Sequence, residues 1–324
     1  MTALRLRAPA KLNLGLRVTG RRADGYHELE SVFVPIALAD ELQIALGGPP
    51  GIRLSVDGEL ASGVPADARN LAWRAAERFL LEARLAKGVS IALTKRVPSP
   101  AGLGGGSSDA GAVLRGLSAL SGAPLAPERL AALALALGAD VPFFSRPQPA
   151  LVSGVGERVL PLAGLGSLTV LLAHPGIGLE TKAVYAAFAA AASLTPKCLA
   201  PNLRALLALR EEAGVTRAHW PETPDRLREL VANDLEPAAS RLSPEVAKLR
   251  EELAATSPRA VGMSGSGPTM YAIYPSESEA RQAERQIQRA GRRTWVTRTL
   301  ASDESGESDD SEVLQVDAKR PRGF

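Results

Sequence analysis

The sequence predicts an α+β fold in two layered units joined near residues 155–165, and three features carry that expectation. Period-two patterns fill residues 10–57, the mark of half-buried strands. A short apolar strand at 89–94 then runs through a glycine-rich loop into a helix. After residue 180 the pattern turns to helices punctuated by short apolar strands.

Taken in order, Ala10 to Gly20 places Leu12, Leu14, Leu16 and Val18 on one strand face and Lys11, Asn13 and Arg17 on the other. Asp24-Gly25 makes a turn, followed by strand patterns near 28–38, 41–46 and 52–57. Asn70 reads as the N-cap of a helix to about Leu85. Ser107-Ser108-Asp109 opens a helix through about Leu120, and Pro127 starts another that ends at Gly138. Strand patterns return at 149–153, 157–161 and 168–173. Helical patterns occupy 181–192, 201–213, 224–232 and 244–255. Strands at 259–263 and 269–274 flank a tight loop, Ser264 to Gly267, and helix 276–290 and strand 293–300 close the fold. This gives three segments: 1–155, 156–301, and a Ser/Asp/Glu-rich tail, 302–324, expected to be disordered because it holds too little apolar surface to order itself.

Composition narrows the function. The chain has 324 residues, 45% hydrophobic and 23% charged, an ordinary balance for a globular protein. Its longest nearly apolar run, Leu130 to Ala139, is far short of the roughly 20 residues that span a bilayer. Met1 to Leu16 alternates apolar residues with Arg, Lys and Asn and holds no secretion-signal core. A single cysteine, Cys198, excludes a disulfide framework, and three dispersed histidines argue against a zinc site. The expectation is a cytoplasmic protein without membrane partners. Net charge is +3 overall, but residues 1–301 carry +7 and the tail −4. That excess suits an anionic small molecule, and no Lys/Arg run interleaved with aromatics points to nucleic acid.

The sharpest motif is Pro98-Ser99-Pro100-Ala101-Gly102-Leu103-Gly104-Gly105-Gly106-Ser107-Ser108-Asp109. Clustered glycines permit positive φ and close approach of a ligand to the backbone. Successive N–H groups at a helix start form an anion site, and Ser107 and Ser108 can add hydroxyl donors. A Walker A loop would need a lysine after Gly106. The dinucleotide fingerprint would need glycine in place of Ser107. The motif is therefore another kind of phosphate loop. Lys11 and Asn13 share a strand face, as two groups serving one site must. Asp140, after Gly138 and before Val141-Pro142, reads either as a cap of the next turn or as a carboxylate for proton transfer. With aromatics at only 4%, Tyr26 in the polar Asp24-Gly25-Tyr26-His27 turn suits base stacking, with His27 reading the edge.

These motifs resemble the GHMP kinases. The loop at 98–109 is similar to their central ATP loop. Pro9-Ala10-Lys11-Leu12-Asn13-Leu14, Arg21 to Glu28, Leu137 to Phe144 and Gly262 to Thr269 resemble the members that act on a cytidine-diphosphate-linked methylerythritol in isoprenoid precursor synthesis. The resemblance spans about residues 5–300. It implies a two-domain fold, with a ribosomal-S5-like ATP domain and a ferredoxin-like C-terminal domain. It also implies ATP and Mg²⁺ as cofactors and phosphorylation of a tertiary hydroxyl, the 2-hydroxyl of the erythritol moiety. A monomer or weak homodimer is expected. Position by position, it implies Asp140 as base and Lys11 as its electrostatic partner, with Asn13 at the same end. Tyr26 and Tyr185 would sandwich the cytosine, His27 would bond its edge, and Thr181 would approach the erythritol or diphosphate. Asn70 and Lys95 would lie beside the nucleoside of ATP. No acidic Mg²⁺ ligand is identified.

Overall fold

The computed structural model describes residues 2–122, 125–192, 202–301 and 312–315. The chain opens with two long antiparallel strands, β1 (Thr2–Arg21) and β2 (His27–Leu46), followed by β3 (Gly51–Asp57). Helix α1 (Leu71–Glu82) starts at Asn70, whose Oδ1 accepts from Ala72 N at 2.9 Å, as the sequence predicts. Strand β4 (Gly88–Thr94) pairs with β2 and, in parallel, with β3. Then come α2 (Gly105–Ser121), α3 (Pro127–Leu137) and the single-turn α4 (Val141–Phe144). Strands β5 (Ala150–Gly154) and β6 (Arg158–Pro161) form a hairpin whose first strand pairs with β2. The boundary expected at 155/156 therefore falls inside a hairpin, because β6 hydrogen-bonds into the first sheet.

The second half contains β7 (Thr169–His174), α5 (Thr181–Ala192), α6 (Leu203–Leu206), β8 (Arg210–Glu212), β9 (Val215–Arg217), α7 (Pro224–Leu230), α8 (Glu236–Leu242), α9 (Pro244–Ala255), β10 (Ala260–Met263), β11 (Met270–Tyr274), α10 (Glu277–Ile287) and β12 (Arg293–Arg298). Its sheet runs β10-β11-β7-β12. Where the sequence predicts one helix over 201–213, the chain makes a single turn of helix and a hairpin. Ala213 and Gly214 both adopt positive φ, the conformation of a two-residue hairpin turn. The tail also differs in part: β13 (Glu312–Gln315) pairs antiparallel with Thr2–Arg5 on the free edge of β1. An open strand edge accepts any segment with extended propensity. The rest of the tail lies outside the described residues, as does Cys198.

One apolar cluster joins the two units. Leu12 and Leu14 of β1 pack with Val170, Leu172, Tyr271 and Ile273 of the second sheet. Backbone bonds reinforce it: Leu16 N donates to Ala232 O at 3.1 Å and Asp234 N to Leu16 O at 3.0 Å. The polar face of β1, with Lys11 and Asn13, is thereby held at the junction.

Candidate active site

Three glycines bring the site together. Gly104, the N-cap of α2, has φ 72°, and a Cβ there would stand 2.8 Å from the Phe144 ring. A Cβ on Gly111 would stand 2.6 Å from Phe144 Cβ. Helix α4 can thus press against the start of α2, which carries Asp140, the residue just before α4, toward the phosphate loop. From the other side, a Cβ on Gly156 would lie 2.2 Å from Ala139 O, so the β5–β6 turn packs directly on the chain leading into Asp140. Arg115 of α2 holds the far end of α4, donating to Phe144 O and, at 3.0 Å, to Arg7 O.

Asp140 makes no side-chain cap hydrogen bond, although it occupies the N-cap position of α4. Its Oδ2 lies 3.8 Å from Lys11 Nζ. Lys11 is only 3% exposed, lies over the Phe33 ring, and donates to Asn13 Oδ1. Asn13 Nδ2 in turn donates to Ser31 Oγ at 2.8 Å, and Ser31 donates to Gly15 O at 2.6 Å. Burial pushes the Lys11 ammonium pKa down, and the Asp140 carboxylate opposes that shift. The Asp140 side chain remains 32% exposed, open to the cleft.

A second glycine loop closes over this network. Ser264 Oγ donates to Gly102 O at 2.9 Å, and Asn13 N donates to Ser264 Oγ at 3.3 Å. A Cβ on Gly102 would lie 2.2 Å from Ser264 O, and one on Gly265 would lie 3.4 Å from Lys11 Nζ. The two loops interlock only because both positions lack side chains. Asn233, unsuspected from the sequence, holds the second loop by donating to Met263 O at 2.8 Å and Gly265 O at 2.9 Å. Tyr271 Oη donates to Asn13 O at 2.9 Å, and Gly262 leaves room for it, since a Cβ there would stand 2.7 Å from that hydroxyl.

Within the phosphate loop, Pro98, Ala101 and Leu103 turn inward, Ser99 and Pro100 are exposed, and Gly102, Gly104, Gly106 and Ser107 are half-buried. Gly105 and Gly106 belong to α2, so only Gly102 and Gly104 use the positive φ that the four-glycine cluster permits. Two expectations require correction. Ser108 is fully buried and donates to Pro9 O at 2.7 Å, so its hydroxyl anchors α2 to β1 instead of meeting phosphate. Lys95 is 1% exposed and is bonded to Asp40 and Asp109 under the loop, so its ammonium is not open to a ligand. Asn70 uses both ends of its amide, as the α1 cap and in a bond from Nδ2 to Pro65 O at 2.8 Å.

Beside this network, the His27 ring stacks on Tyr185 of α5 at 5.0 Å between centroids, with Phe188 edge-on to His27 at 6.3 Å. Burial and then the charge of Asp140 push the Tyr185 hydroxyl up to about 12, which ties this cluster to the Asp140 field. Burial and Arg21 lower the His27 pKa, leaving a neutral imidazole with one donor and one acceptor near neutral pH. Tyr26 is 65% exposed at the turn, stacked on neither ring. Thr181, at the start of α5, lies 3.0 Å from Ser266 Oγ of the second glycine loop. The structure thus brings Lys11, Asn13, Asp140 and the two loops together, with His27, Tyr185 and Thr181 alongside.

An anion loop at a helix start, facing a lysine–carboxylate pair, is the arrangement of a phosphoryl-transfer enzyme. Two family models match here: the GHMP kinases N-terminal domain over residues 70–147 and the GHMP kinases C-terminal domain over 221–293. The chain belongs to the GHMP kinases. It is 40% identical over 295 residues to the 4-diphosphocytidyl-2-C-methyl-D-erythritol kinase of Citrifermentans bemidjiense, covering 91% of this chain and 97% of that protein. A crystal structure of a 4-(cytidine 5'-diphospho)-2C-methyl-D-erythritol kinase superposes with a TM-score of 0.72 at 38% identity, covering 91% of this chain and 98% of the other. A homoserine kinase from Cytophaga hutchinsonii shares the fold, with a TM-score of 0.69 at 19% identity over 96% and 97% of the two chains.

Proposed function

We propose that this kinase transfers the γ-phosphoryl group of ATP to the 2-hydroxyl of 4-diphosphocytidyl-2-C-methyl-D-erythritol, in the non-mevalonate route to isoprenoid precursors. The carrying observation is the Lys11–Asp140 pair, 3.8 Å apart where the two glycine loops meet. The stacked His27 and Tyr185 rings supply a surface for a pyrimidine, which an acceptor without a base would not use.

In this reading the acceptor hydroxyl gives its proton to Asp140 as its oxygen bonds to the γ-phosphorus and the bond to the β,γ-bridging oxygen breaks. Lys11 lies beside the Asp140 carboxylate and offers positive charge to the transferring group. The N–H groups of the loop at 102–107 receive the phosphates. Among the described residues no cluster of three His, Cys, Asp or Glu could hold a metal ion. A magnesium ion keeps several waters and takes one or two protein oxygens with the nucleotide phosphates, so the half-buried Ser107 hydroxyl at the start of α2 would be its protein donor. When bound, that ion would neutralise phosphate charge. Among the described residues no helix is long and apolar enough to cross a membrane. A cytoplasmic location and a monomer or weak homodimer belong to the same proposal.

The deciding experiment measures ATP consumption with the cytidylyl substrate, homoserine and mevalonate side by side. Turnover of the first alone is expected. Turnover of either other compound without the first would overturn the substrate assignment.

A further inference from the structure

Beneath the phosphate loop lies a buried charge cluster that the reaction does not use directly. Asp40, in the middle of β2, is fully buried. Its Oδ1 accepts from Arg96 N at 2.5 Å and Val97 N at 2.8 Å, the two residues that begin the loop. Its Oδ2 accepts from Lys95 Nζ. Lys95 Nζ also donates, at 2.8 Å, to Asp109 Oδ2 in the second turn of α2, just past the end of the loop. The cluster thus bridges both ends of the segment from Arg96 to Asp109. It sits directly below the helix start: a Cβ on Gly105 would stand 3.5 Å from Lys95 Nζ and 3.0 Å from Val97 Cγ1.

We infer that Asp40, Lys95 and Asp109 form a positioning strut that fixes the spacing of the phosphate loop, and that Asp40 is a determinant of ATP affinity although it touches no ligand. A loop whose N–H groups must converge on phosphate oxygens loses affinity when its two ends drift, and in a reacting geometry an error of an ångström can cost about a hundredfold in rate. Two carboxylates on one ammonium make the strut rigid. Lys95 is held from β2 and from α2, and all three side chains are buried. Asp109 Oδ1 has no partner and lies fully buried, so Asp109 is placed for Lys95 and not for a cap or for solvent. This inference rests on the reading of the loop as the ATP site.

The test compares Asp40→Asn, Lys95→Met, Asp109→Asn and the double variant Asp40→Asn/Lys95→Met. ADP affinity is measured by calorimetry, KM and kcat with both substrates, and Tm for each protein. Asp40→Asn and Lys95→Met are each expected to weaken ADP binding and raise the ATP KM by about tenfold or more, with the acceptor KM within about twofold. The double variant should be no worse than Lys95→Met alone, because the residues act as one unit. Asp109→Asn keeps an acceptor for Lys95 and guards against failure to fold; it should weaken ADP binding by about threefold. Two results would overturn the strut. One is unchanged ADP affinity in folded Asp40→Asn and Asp109→Asn proteins despite a lower Tm. The other is a large loss confined to Lys95→Met, which would make Lys95 a direct nucleotide contact. If the wild-type protein does not bind ADP, the reading of the loop fails, and the strut with it.

Discussion

Two lysines lie against the start of α2, Lys11 beside Gly104 and Lys95 beside Gly105, and their surroundings give them opposite properties. Lys11 has one carboxylate, Asp140, at 3.8 Å and partly open to the cleft, and burial wins: its pKa is lowered. Lys95 has two carboxylates within bonding distance, both enclosed, and their charges outweigh burial: its pKa is raised. A buried ammonium compensated by one half-exposed partner retains capacity to attract a further anion. One saturated by two carboxylates has none and can only hold structure. The number and exposure of the carboxylates, more than the lysine itself, separate the open, chemical lysine from the closed, mechanical one.

The largest effect should come at the open lysine. Asp140→Asn keeps the side-chain shape and removes base and charge, so kcat should fall by roughly two to four decades with both KM values little changed. Lys11→Ala should also lower kcat, and the double variant should be far less than additive. Near-normal kcat in Asp140→Asn would erase the functional difference between the two lysines.

The contrast also shows what can be read from residues alone. Local features were legible: the Asn70 cap, the Lys11 and Asn13 face, the start of α3 at Pro127. Each depends on neighbours within a few positions. The direction of Lys95 was not legible, because it is decided by Asp40, 55 residues away in sequence. The same aspartate makes β2 look interrupted: the pattern breaks at Ala39-Asp40, yet the strand runs from His27 to Leu46 because Lys95 and two loop amides satisfy the carboxylate. Ser108 turns inward to Pro9, which lies 99 residues earlier in the chain. Helices α4 and α8, of 4 and 7 residues, are too short to show a helical period.

A second prediction tests the interlock between the loops. Gly102→Ala places a methyl group 2.2 Å from Ser264 O on a backbone with φ 73°, so the loops must part. A loss of about 2–3 kcal/mol in unfolding free energy is expected, with a raised ATP KM. Gly106, inside α2 with no atom nearer than 3.8 Å to an added Cβ, should accept alanine with a gain of about 0.5–1 kcal/mol. Equal stabilities of the two variants would contradict the close approach of the loops.

A third prediction concerns the acceptor. Tyr185→Ala and Tyr26→Ala should each raise KM for the cytidylyl substrate by about 1–3 kcal/mol of lost stacking and leave ATP KM unchanged. Tyr185 should give the larger change, since it already stacks on His27 while Tyr26 is 65% exposed. A rise in the ATP KM instead would mean that the two nucleotides occupy each other's places.

The smallest effect lies at the closed lysine and appears as a pH dependence of stability. Burial pushes the Asp109 carboxyl up to about 7, with Lys95 opposing and the charge of Asp40 adding to the rise. In the unfolded chain an aspartate ionises near 4. Between about 4 and 7 the folded protein therefore binds a proton that the unfolded chain has released. The stabilisation from that proton is complete below the unfolded value and is lost as pH rises through the folded one, with a slope of at most about 1.4 kcal/mol per pH unit. Other groups titrate in the same range, so the informative quantity is the difference between wild type and Asp109→Asn in denaturant midpoint, followed from pH 5 to 8. That difference should shift steadily against the wild type up to about pH 7 and level off above it. Lys11→Met should leave this slope in place, because Lys11 pairs with Asp140 and not with Asp109. Parallel curves for wild type and Asp109→Asn would mean that Asp109 stays ionised beside Lys95 throughout.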